Sequence, residues 1–296
     1  RTIKSNDPVF IPPFALMAPV VLRVALALQL GLFSAVAVEG PVVITGATGR
    51  TGALLYNTLK AKGVSVRALV RNVTKAKEVL RCSACDASEG IFLGDVKKKE
   101  TLVQAMEGAG ALAIVASSVP VCTGGMDTCS YPKGAFPVDI DWLASKVQVE
   151  AFAESQKKAG KVPGPVVLCS SMGTTEPDSF LDKLGNGFAV FYKLNAEAAL
   201  MSSGLPFTIV KPCGLSDTAA GEAQLLVGHD DSISLKTPIT RGDVARVMAE
   251  AILQPEKAKG LRFDLCSQPG AATADFGKLF DEARNPLAQA QAQVVV

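Results

Sequence analysis

The sequence predicts an α/β protein built on a doubly wound, mostly parallel sheet. Short apolar runs alternate with amphipathic stretches through most of the 296 residues, which is the pattern of strands and helices in turn. The first apolar run stops at a turn with glycine at positions 46, 49 and 52, and a helical pattern follows directly. Because no internal repeat or linker interrupts this alternation, we expect residues 41–285 to form one domain with right-handed crossovers.

The predicted elements follow one another in a regular order. Strands are predicted at 42–45, 64–70, 91–93, 111–116, 166–169, 207–210 and 261–265. Helices are predicted at 53–60, 73–80, 142–158, 191–203, 241–253 and 274–283, the fifth capped by Thr240 with Asp243 in its first turn. Residues 119–139 form a long loop of the kind that often serves as a lid or binding loop. Residues 216–240 break the alternation and are expected to cover the substrate side.

The glycine turn at 46–52 predicts a site for a dinucleotide's phosphates. A pyrophosphate approaches the backbone there more closely than a Cβ allows, and the free N–H groups and dipole of the following helix hold its charge. The spacing G-x-x-G-x-x-G differs from the G-x-G-x-x-G of many dehydrogenases, so an ordinary turn with three glycines is the alternative.

The end of the second strand indicates which dinucleotide binds. NAD-specific proteins usually carry an acid about twenty residues after the last glycine, where it grips the ribose hydroxyls. This sequence has Arg71 and Asn72 there, with Lys75 close behind. The planar, permanently charged guanidinium of Arg71 suits a 2′-phosphate, so we predict NADP(H) over NAD(H). The alternative is an ordinary surface arginine in solvent.

Two further strand ends carry candidate cofactor contacts. Asp95 follows the third strand, where its carboxylate could accept a hydrogen bond from an adenine amine or, equally, cap a helix. Ser117 and Ser118 follow the fourth strand, and small residues there leave room for a cofactor ribose.

Charge and cysteine usage exclude some classes of function. The formal net charge of +2 gives no sign of a nucleic-acid partner. Seven cysteines, an odd number scattered through the chain, do not indicate a disulfide framework and fit a reducing compartment. Cys82 and Cys85 make a single C-x-x-C, Cys122 and Cys129 lie in a later loop, and His229 is the only histidine. We therefore predict neither a metal site nor a redox-sensing pair.

The first forty residues differ from the rest of the chain. Residues 14–38 are almost all apolar, a length that could span a bilayer, and the interrupting Arg23 lies off-centre, where its head group could reach the interface. We expect the extension 1–40 to anchor the protein in a membrane or to dock on a membrane protein complex. The alternative is a targeting peptide cleaved near residues 35–37. Residues 286–296 form a separate tail that is either frayed or docked.

Five short motifs carry a resemblance to a known family. They are TGATGRTG at 45–52, LVRN at 69–72, GDV at 94–96, SSMG at 170–173 and KLNAE at 193–197. Together they resemble the atypical short-chain dehydrogenase/reductases, in particular the NmrA-like NAD(P)-binding group of plants and algae, over residues 41–285. The resemblance implies a Rossmann-like doubly wound sheet that binds NADP. The residues implied for NADP binding, the last glycine of the turn included, are these: Gly46, Thr48, Gly49, Arg50, Thr51, Gly52, Arg71, Asp95, Val96, Ala116, Ser117, Lys193, Pro212, Cys213 and Gly214.

Catalysis is implied less firmly than cofactor binding. Active members of the family use a serine after the fifth strand and the motif Y-x-x-x-K, whose tyrosine donates the proton while the lysine lowers its pKa and holds the nicotinamide ribose. Ser171 and Lys193 match these positions, but Ala189 stands where the tyrosine belongs. Tyr192 cannot replace it, because neighbours on a helix point about 100° apart.

Two functions are therefore open. The first, which the missing tyrosine and the apolar extension favour, is an NADP(H)-binding membrane-associated subunit or redox sensor with weak or no orthodox catalysis. The second is an NADPH-dependent reductase of a small carbonyl or alkene. The resemblance implies a plastid protein at the thylakoid membrane, with the soluble stroma or the cytosol as alternatives.

Overall fold

The computed structural model describes residues 38–176, 178–234 and 238–285. The predicted apolar extension up to residue 37 and the tail from residue 286 lie outside these ranges. The strands within them are β1 (Val42–Thr45), β2 (Val66–Val70), β3 (Ile91–Leu93), β4 (Ala111–Ile114), β5 (Val121–Cys122), β6 (Cys129–Ser130), β7 (Val166–Cys169), β8 (Phe207–Pro212), β9 (Leu215–Ser216), β10 (Gln224–Gly228), β11 (Ile239–Thr240) and β12 (Leu261–Gln268).

Helices connect these strands. The α-helices in the described ranges are α1 (Arg50–Ala61), α2 (Val73–Leu80), α3 (Val103–Met106), α4 (Ala144–Lys158), α5 (Phe180–Lys183), α6 (Ala189–Met201), α7 (Arg241–Leu253), α8 (Pro255–Ala258) and α9 (Phe276–Arg284). A π-helical turn, Val138–Leu143, leads directly into α4. None of the helices in the described part of the chain combines the length and the apolar character that crossing a bilayer requires.

Eight of the strands form the main sheet, in the order β10-β12-β8-β7-β4-β1-β2-β3. Neighbours pair in parallel along this sheet, except that β10 runs antiparallel to β12. Strands β2 and β3 follow β1 toward one edge of the sheet, and β4 pairs with β1 on its other side. The predicted doubly wound parallel fold is confirmed.

Both faces of the sheet are covered, which explains why its strands have continuous apolar runs. Every residue of β1 is buried, and because side chains alternate along a strand, Val42 and Val43 belong to two different hydrophobic clusters. The first cluster includes Leu55 of α1 and Met248 of α7, and the second includes Phe152 of α4. The central strands are thereby fixed, and their carboxyl ends meet along one edge.

Several element boundaries differ from the sequence prediction. Helix α1 begins at Arg50 rather than residue 53, because Gly52, assigned to the turn, lies inside the helix. Strand β12 runs eight residues rather than five, since its end pairs with β10. The region 216–240, expected only to cover the substrate side, thus also supplies an edge strand.

The expectation that the cysteines do not make a disulfide framework is wrong, because the structure contains two disulfides. Cys82 is bonded to Cys85, and Cys122 to Cys129. The second bond closes the hairpin of β5 and β6, in which these two residues are directly opposite. The loop expected at 119–139 contains this hairpin and the start of the π-helical turn. Both pairs are close in sequence, and each can bond because its segment folds back on itself. The number and spacing of the cysteines do not reveal this folding.

Candidate functional site

A cleft of about 890 Å³ lies at the carboxyl ends of β1, β4, β7 and β8. This is the edge where the chain order reverses between β1 and β4, the position at which open α/β sheets bind ligands. Of the sequence-predicted site residues, those that line it are Gly46, Thr48, Gly49, Arg50, Thr51, Gly52, Arg71, Val96, Ala116, Ser117, Ser171, Lys193, Pro212, Cys213 and Gly214.

Asp95 alone among the predicted residues is not part of this lining. Its carboxylate accepts a hydrogen bond from the Lys97 N–H at 3.0 Å, and its own N–H donates to Thr101 Oγ1 at 2.9 Å. The carboxylate therefore closes a local turn. The contact with an adenine amine stays a prediction, and so does the alternative of a helix cap.

The three glycines of the turn serve different purposes. A Cβ on Gly46, whose φ is +68°, would lie 2.6 Å from the Ala116 nitrogen, and one on Gly52 would lie 2.2 Å from the Gly46 oxygen. These two glycines permit close packing of the turn on the residues that follow β4 and on itself. A Cβ on Gly49 would meet only the Gly46 oxygen, at 3.1 Å. Gly49 is therefore the position where a missing side chain leaves the cleft open, a narrower role than that expected for all three.

The start of α1 is suited to an anion. Gly49 provides no side-chain cap, and no acidic residue lies in the first turn, so the helix presents its N–H groups and positive dipole end to the cleft. Arg50 and Arg241 also line the cleft, and both form ion pairs with Asp217, the second at 2.9 Å.

The described lining of the cleft is strongly positive. It contains no aspartate or glutamate, and its cations are Arg50, Arg71, Lys75, Lys193 and Arg241. Arg71 is exposed at the end of β2, while Asn72 caps α2 by accepting the Lys75 N–H at 3.0 Å. A lining of this charge is complementary to a ligand that carries several phosphates.

Deeper in the cleft, Lys193 belongs to a hydrogen-bonded cluster with Ser117 and Asp141. The Lys193 ammonium donates to Asp141 Oδ1 at 2.7 Å and to Ser117 Oγ at 3.0 Å, and the Ser117 hydroxyl donates to Asp141 Oδ1 at 2.7 Å. Burial lowers the pKa of Lys193, but the charge and hydrogen bond of Asp141 outweigh this effect and raise that pKa above its usual value. Lys193 is therefore a fixed cation at neutral pH.

Sequence reasoning missed Asp141. It lies in the π-helical turn, outside every motif that carried the resemblance, and its partner Lys193 is 52 residues away in the chain. An acidic residue in the long segment before a helix gives no signal of such a contact. Only the fold, which packs this turn against α6, brings the two together.

Ser171 lines the cleft, but no tyrosine is among the described residues that do so. The Ser171 hydroxyl donates to the Met172 carbonyl at 2.8 Å. Tyr192 stacks on Trp142, with ring centroids 5.8 Å apart and planes inclined by 15°. The expectation that Tyr192 does not take the place of the missing tyrosine at position 189 stays a prediction.

The free thiol of Cys169 also lies in the cleft, beside Lys193. Burial raises the pKa of this thiol above its usual range, although the positive charge of Lys193 acts in the opposite direction. Cys169 is therefore a neutral thiol at physiological pH, not a thiolate nucleophile.

Comparison with known proteins shows the family to which the chain belongs. Residues 46–255 match the family described as NAD(P)H-binding. The chain is 35% identical over 278 residues to sanguinarine reductase of Eschscholzia californica, covering 83% of this chain and 97% of that one. It is 36% identical over 254 residues to an uncharacterised chloroplastic protein of Arabidopsis thaliana, covering 81% of this chain and 74% of the other.

Among solved structures, a Bacillus halodurans protein provisionally assigned as an NAD-dependent epimerase/dehydratase shares the fold with a TM-score of 0.62 and 23% identity, over 82% of this chain and 99% of that one. The glycine turn thus lies within the matched region of a sequence family, and the relatives extend over nearly the whole described chain. This protein belongs to the NAD(P)H-binding atypical short-chain dehydrogenase/reductases of the Rossmann-like fold.

Proposed function

We propose that the protein is an NADPH-dependent reductase of a small carbonyl or alkene substrate. The observation that carries this proposal is the position of Lys193 and Ser171 in the same cleft as the glycine turn, with Lys193 held as a cation. A relative that is named a reductase and aligns over 97% of its length supports it. The acceptor is proposed by chemical class only.

The residues of the cleft fit the cofactor. The N–H groups of α1 and the side chain of Arg50 are suited to its pyrophosphate, because they combine a helix dipole with an adjacent cation. Arg71 and Lys75 are suited to the 2′-phosphate, which is what distinguishes NADP from NAD. When bound, NADPH supplies a hydride.

Ser171 acts directly on the substrate in this scheme, and Lys193 acts through its charge. The hydroxyl donates to the carbonyl oxygen, and the fixed ammonium nearby stabilises the negative charge that develops there as the carbon is reduced. With Ala189 in place of the family's tyrosine, the proton comes from solvent. This predicts turnover that is slower than in relatives with the full motif, because a positioned acid typically contributes about 10²- to 10⁴-fold.

The second candidate function is an NADP(H)-binding subunit or redox sensor without robust turnover. It is favoured by two observations, the alanine at position 189 and the packing of Tyr192 against Trp142. In this proposal residues 41–285 bind the nucleotide, while the extension 1–40 attaches the protein to a membrane complex and 286–296 remain a tail.

We further propose a plastid location, at the thylakoid membrane. The relative from Arabidopsis thaliana is a chloroplastic protein, and the apolar segment 14–38 would supply the attachment. Fractionation of plastids that express the full chain and a variant lacking residues 1–38 tests this. Release of only the truncated variant into the soluble fraction is expected, and equal membrane attachment of both would refute it.

Rapid mixing of the purified protein with NADPH and a panel of carbonyls and activated alkenes distinguishes the two functions. NADPH oxidation that requires an acceptor and disappears in Lys193→Ala supports the reductase. Lys146→Ala, a surface change elsewhere, is the control and should leave the rate unchanged. Tight NADPH binding without oxidation by any acceptor favours the sensor or subunit.

Cofactor preference is tested separately by titrating NADPH and NADH into the wild-type protein and Arg71→Ala. We expect the wild type to bind NADPH at least about tenfold more tightly, as a lost charged hydrogen bond of 1.4 kcal/mol or more implies. In Arg71→Ala the two affinities should converge through weaker NADPH binding. Equal binding of both nucleotides by the wild type would exclude the preference.

A further inference from the structure

Asp141 is a buried acidic group next to the cleft that accepts three hydrogen bonds. Its Oδ1 accepts hydrogen bonds from Lys193 and Ser117, both at 2.7 Å, and its Oδ2 accepts the Ser118 N–H at 3.0 Å. Its side chain is only 2% exposed. Three segments therefore meet at one carboxylate: the end of β4, the π-helical turn and α6.

We propose that Asp141 is a positioning residue, which holds the Lys193 ammonium and the Ser117 hydroxyl in fixed orientation where the cofactor's nicotinamide ribose binds. This inference rests on the proposed function, because it takes the cofactor named there as the ligand of Lys193 and Ser117. It adds a residue that lies outside every motif that carried the resemblance.

The hydrogen-bonding capacity of Lys193 and Ser117 supports a contact with a ligand. A lysine ammonium has three N–H donors, and those of Lys193 are directed to two acceptors, Asp141 and Ser117. Within the described part of the chain, one donor is left for a group in the cleft that Lys193 lines. The Ser117 hydroxyl accepts one hydrogen bond, and its single proton is directed to Asp141 at 2.7 Å, with the Ser118 carbonyl as a longer second acceptor at 3.3 Å. Among the described contacts it therefore keeps one lone pair for a ligand hydroxyl.

The local backbone explains how Asp141 reaches this position. Val138–Leu143 is a π-helical turn at the start of α4, and π turns inside or beside α-helices occur often at functional sites because the extra residue redirects side chains. Asp139, two residues earlier in the same turn, makes no side-chain hydrogen bond or ion pair with any described residue. It provides a matched control for the same chemical change.

The other charged and titratable groups near Lys193 do not replace Asp141. Glu197, one turn further along α6, is paired with Arg262 at 2.8 Å. The Cys169 thiol is neutral, because burial raises its pKa. Tyr131 faces Asp141, and burial together with the nearby carboxylates raises the pKa of this phenol, so it too is uncharged. Asp141 is thus the anion that keeps a buried Lys193 protonated.

The experiment measures Lys193 and cofactor binding independently in Asp141→Asn. Competitive acetylation read by mass spectrometry gives the pKa of Lys193 in the ligand-free protein. We expect this pKa to fall by about 1 to 3 pH units, the effect of losing an adjacent opposite charge from a buried site. Fluorescence titration from pH 7 to 9.5 should show NADPH affinity about tenfold weaker at the alkaline end, with the wild type nearly flat.

Two further variants separate positioning from structure. In Asp141→Asn with Lys193→Arg the pH dependence of NADPH binding should vanish, because a guanidinium stays charged throughout this range. Asp139→Asn should match the wild type in both measurements. If Asp141→Asn does not fold, Ser117→Ala serves instead, with NADPH binding about threefold weaker and an unchanged pH profile, as loss of one neutral hydrogen bond implies.

The outcomes distinguish failure of the inference from failure of the proposed function. If the wild type binds no NADPH, the proposed function fails, and the role of the cluster as a ribose site fails with it. If the wild type binds NADPH while Asp141→Asn, or Ser117→Ala in its place, binds equally well at every pH, only the role of Asp141 is overturned. An unchanged pKa of Lys193 in Asp141→Asn also overturns it.

Discussion

Arg262 Nε donates a hydrogen bond to Glu197 Oε2 at 2.8 Å, joining β12 to the helix that carries Lys193. Glu197 also accepts the hydroxyl of Ser170, the residue before Ser171, and it is 1% exposed. Arg262 reaches further, to Asp230 at 2.8 Å. A buried polar network thus connects strand ends and helix beneath the cleft, so the scaffold of the site depends on electrostatics as well as apolar packing.

Removal of the arginine tests this network. In Arg262→Leu the carboxylate of Glu197 stays buried without its cation, so we expect the free energy of unfolding to fall by about 3–5 kcal/mol. The measurement is urea denaturation followed by circular dichroism. Lys257→Ala is the control, since Lys257 and Asp281 are about half exposed and such pairs contribute about 0–1 kcal/mol. A similar small loss in both variants would show that the buried pair is not structurally important.

The sheet could be predicted from the sequence because its central strands are buried on both faces. Val166–Cys169 is a continuous apolar run, and the structure has the strand with the predicted bounds. Parallel strands of this kind place their carboxyl ends at one edge, so the serines and glycines that follow them were expected in one cleft. Local chemistry was equally informative at Thr240, whose side chain accepts the Asp243 N–H as predicted for the cap of α7.

The polar partners of the site could not be predicted in the same way. Glu197 and Arg262 are 65 residues apart, and nothing in either neighbourhood specifies the other. Strand β10 was also missed, because its pairing with β12 depends on where a distant strand ends rather than on its own pattern. Apolar periodicity predicts the strands and helices and hence the fold. Which distant polar groups meet depends on how the fold packs, and no local pattern gives that information.

The glycine turn yields a prediction that separates fold from ligand binding. In Gly52→Ala the new Cβ would collide with the Gly46 oxygen, so the variant should lose thermal stability despite the better helix propensity of alanine. Gly49→Ala should keep its melting temperature within a few degrees and bind NADPH more weakly, because its methyl group enters the cleft. Calorimetric scans and NADPH titrations measure the two effects. Equal stability of the two variants would contradict this division.

Stability at acid pH should depend on Asp231, which lies 3.1 Å from the buried ammonium of Lys211. Burial acts to raise the pKa of this carboxyl, but hydrogen bonds from Thr175 and Gly173 and the charge of Lys211 together hold it below its usual value. Such a group stabilises the fold above its unfolded pKa of about 4, and the stabilisation is lost as pH falls through the lower folded value.

Urea midpoints between pH 3 and 7 check this dependence. The free energy of unfolding of Asp231→Asn should fall less steeply below about pH 4 than that of the wild type. Asp264 also contacts Lys211, but the pKa of its carboxyl is shifted in the opposite direction. Burial raises this pKa, so the folded state keeps the proton to a higher pH than the unfolded state does. Its contribution therefore falls as pH rises through that raised value, and Asp264→Asn should remove this fall. Matching profiles for the two variants would refute the assignment.

The rim of the cleft allows a last prediction, in which binding becomes stronger. Asp217 is 57% exposed, lies outside the cleft lining and forms ion pairs with both Arg50 and Arg241. Its charge therefore offsets two of the cations that face the phosphates. In Asp217→Asn we expect NADPH affinity to rise about threefold at low salt, since one unit charge at about 7 Å in water is worth roughly 0.6 kcal/mol.

Salt and a matched variant show whether charge is the cause. At about 1 M salt the screening length is roughly 3 Å, so the gain should disappear. Glu154→Gln removes the same charge from an exposed pair with Lys99, which does not line the cleft, and should leave the affinity unchanged. Weaker binding in Asp217→Asn would instead mean that the carboxylate is needed to orient the two arginines. In that case geometry, rather than the net positive charge of the cleft, would determine how tightly the phosphates are held.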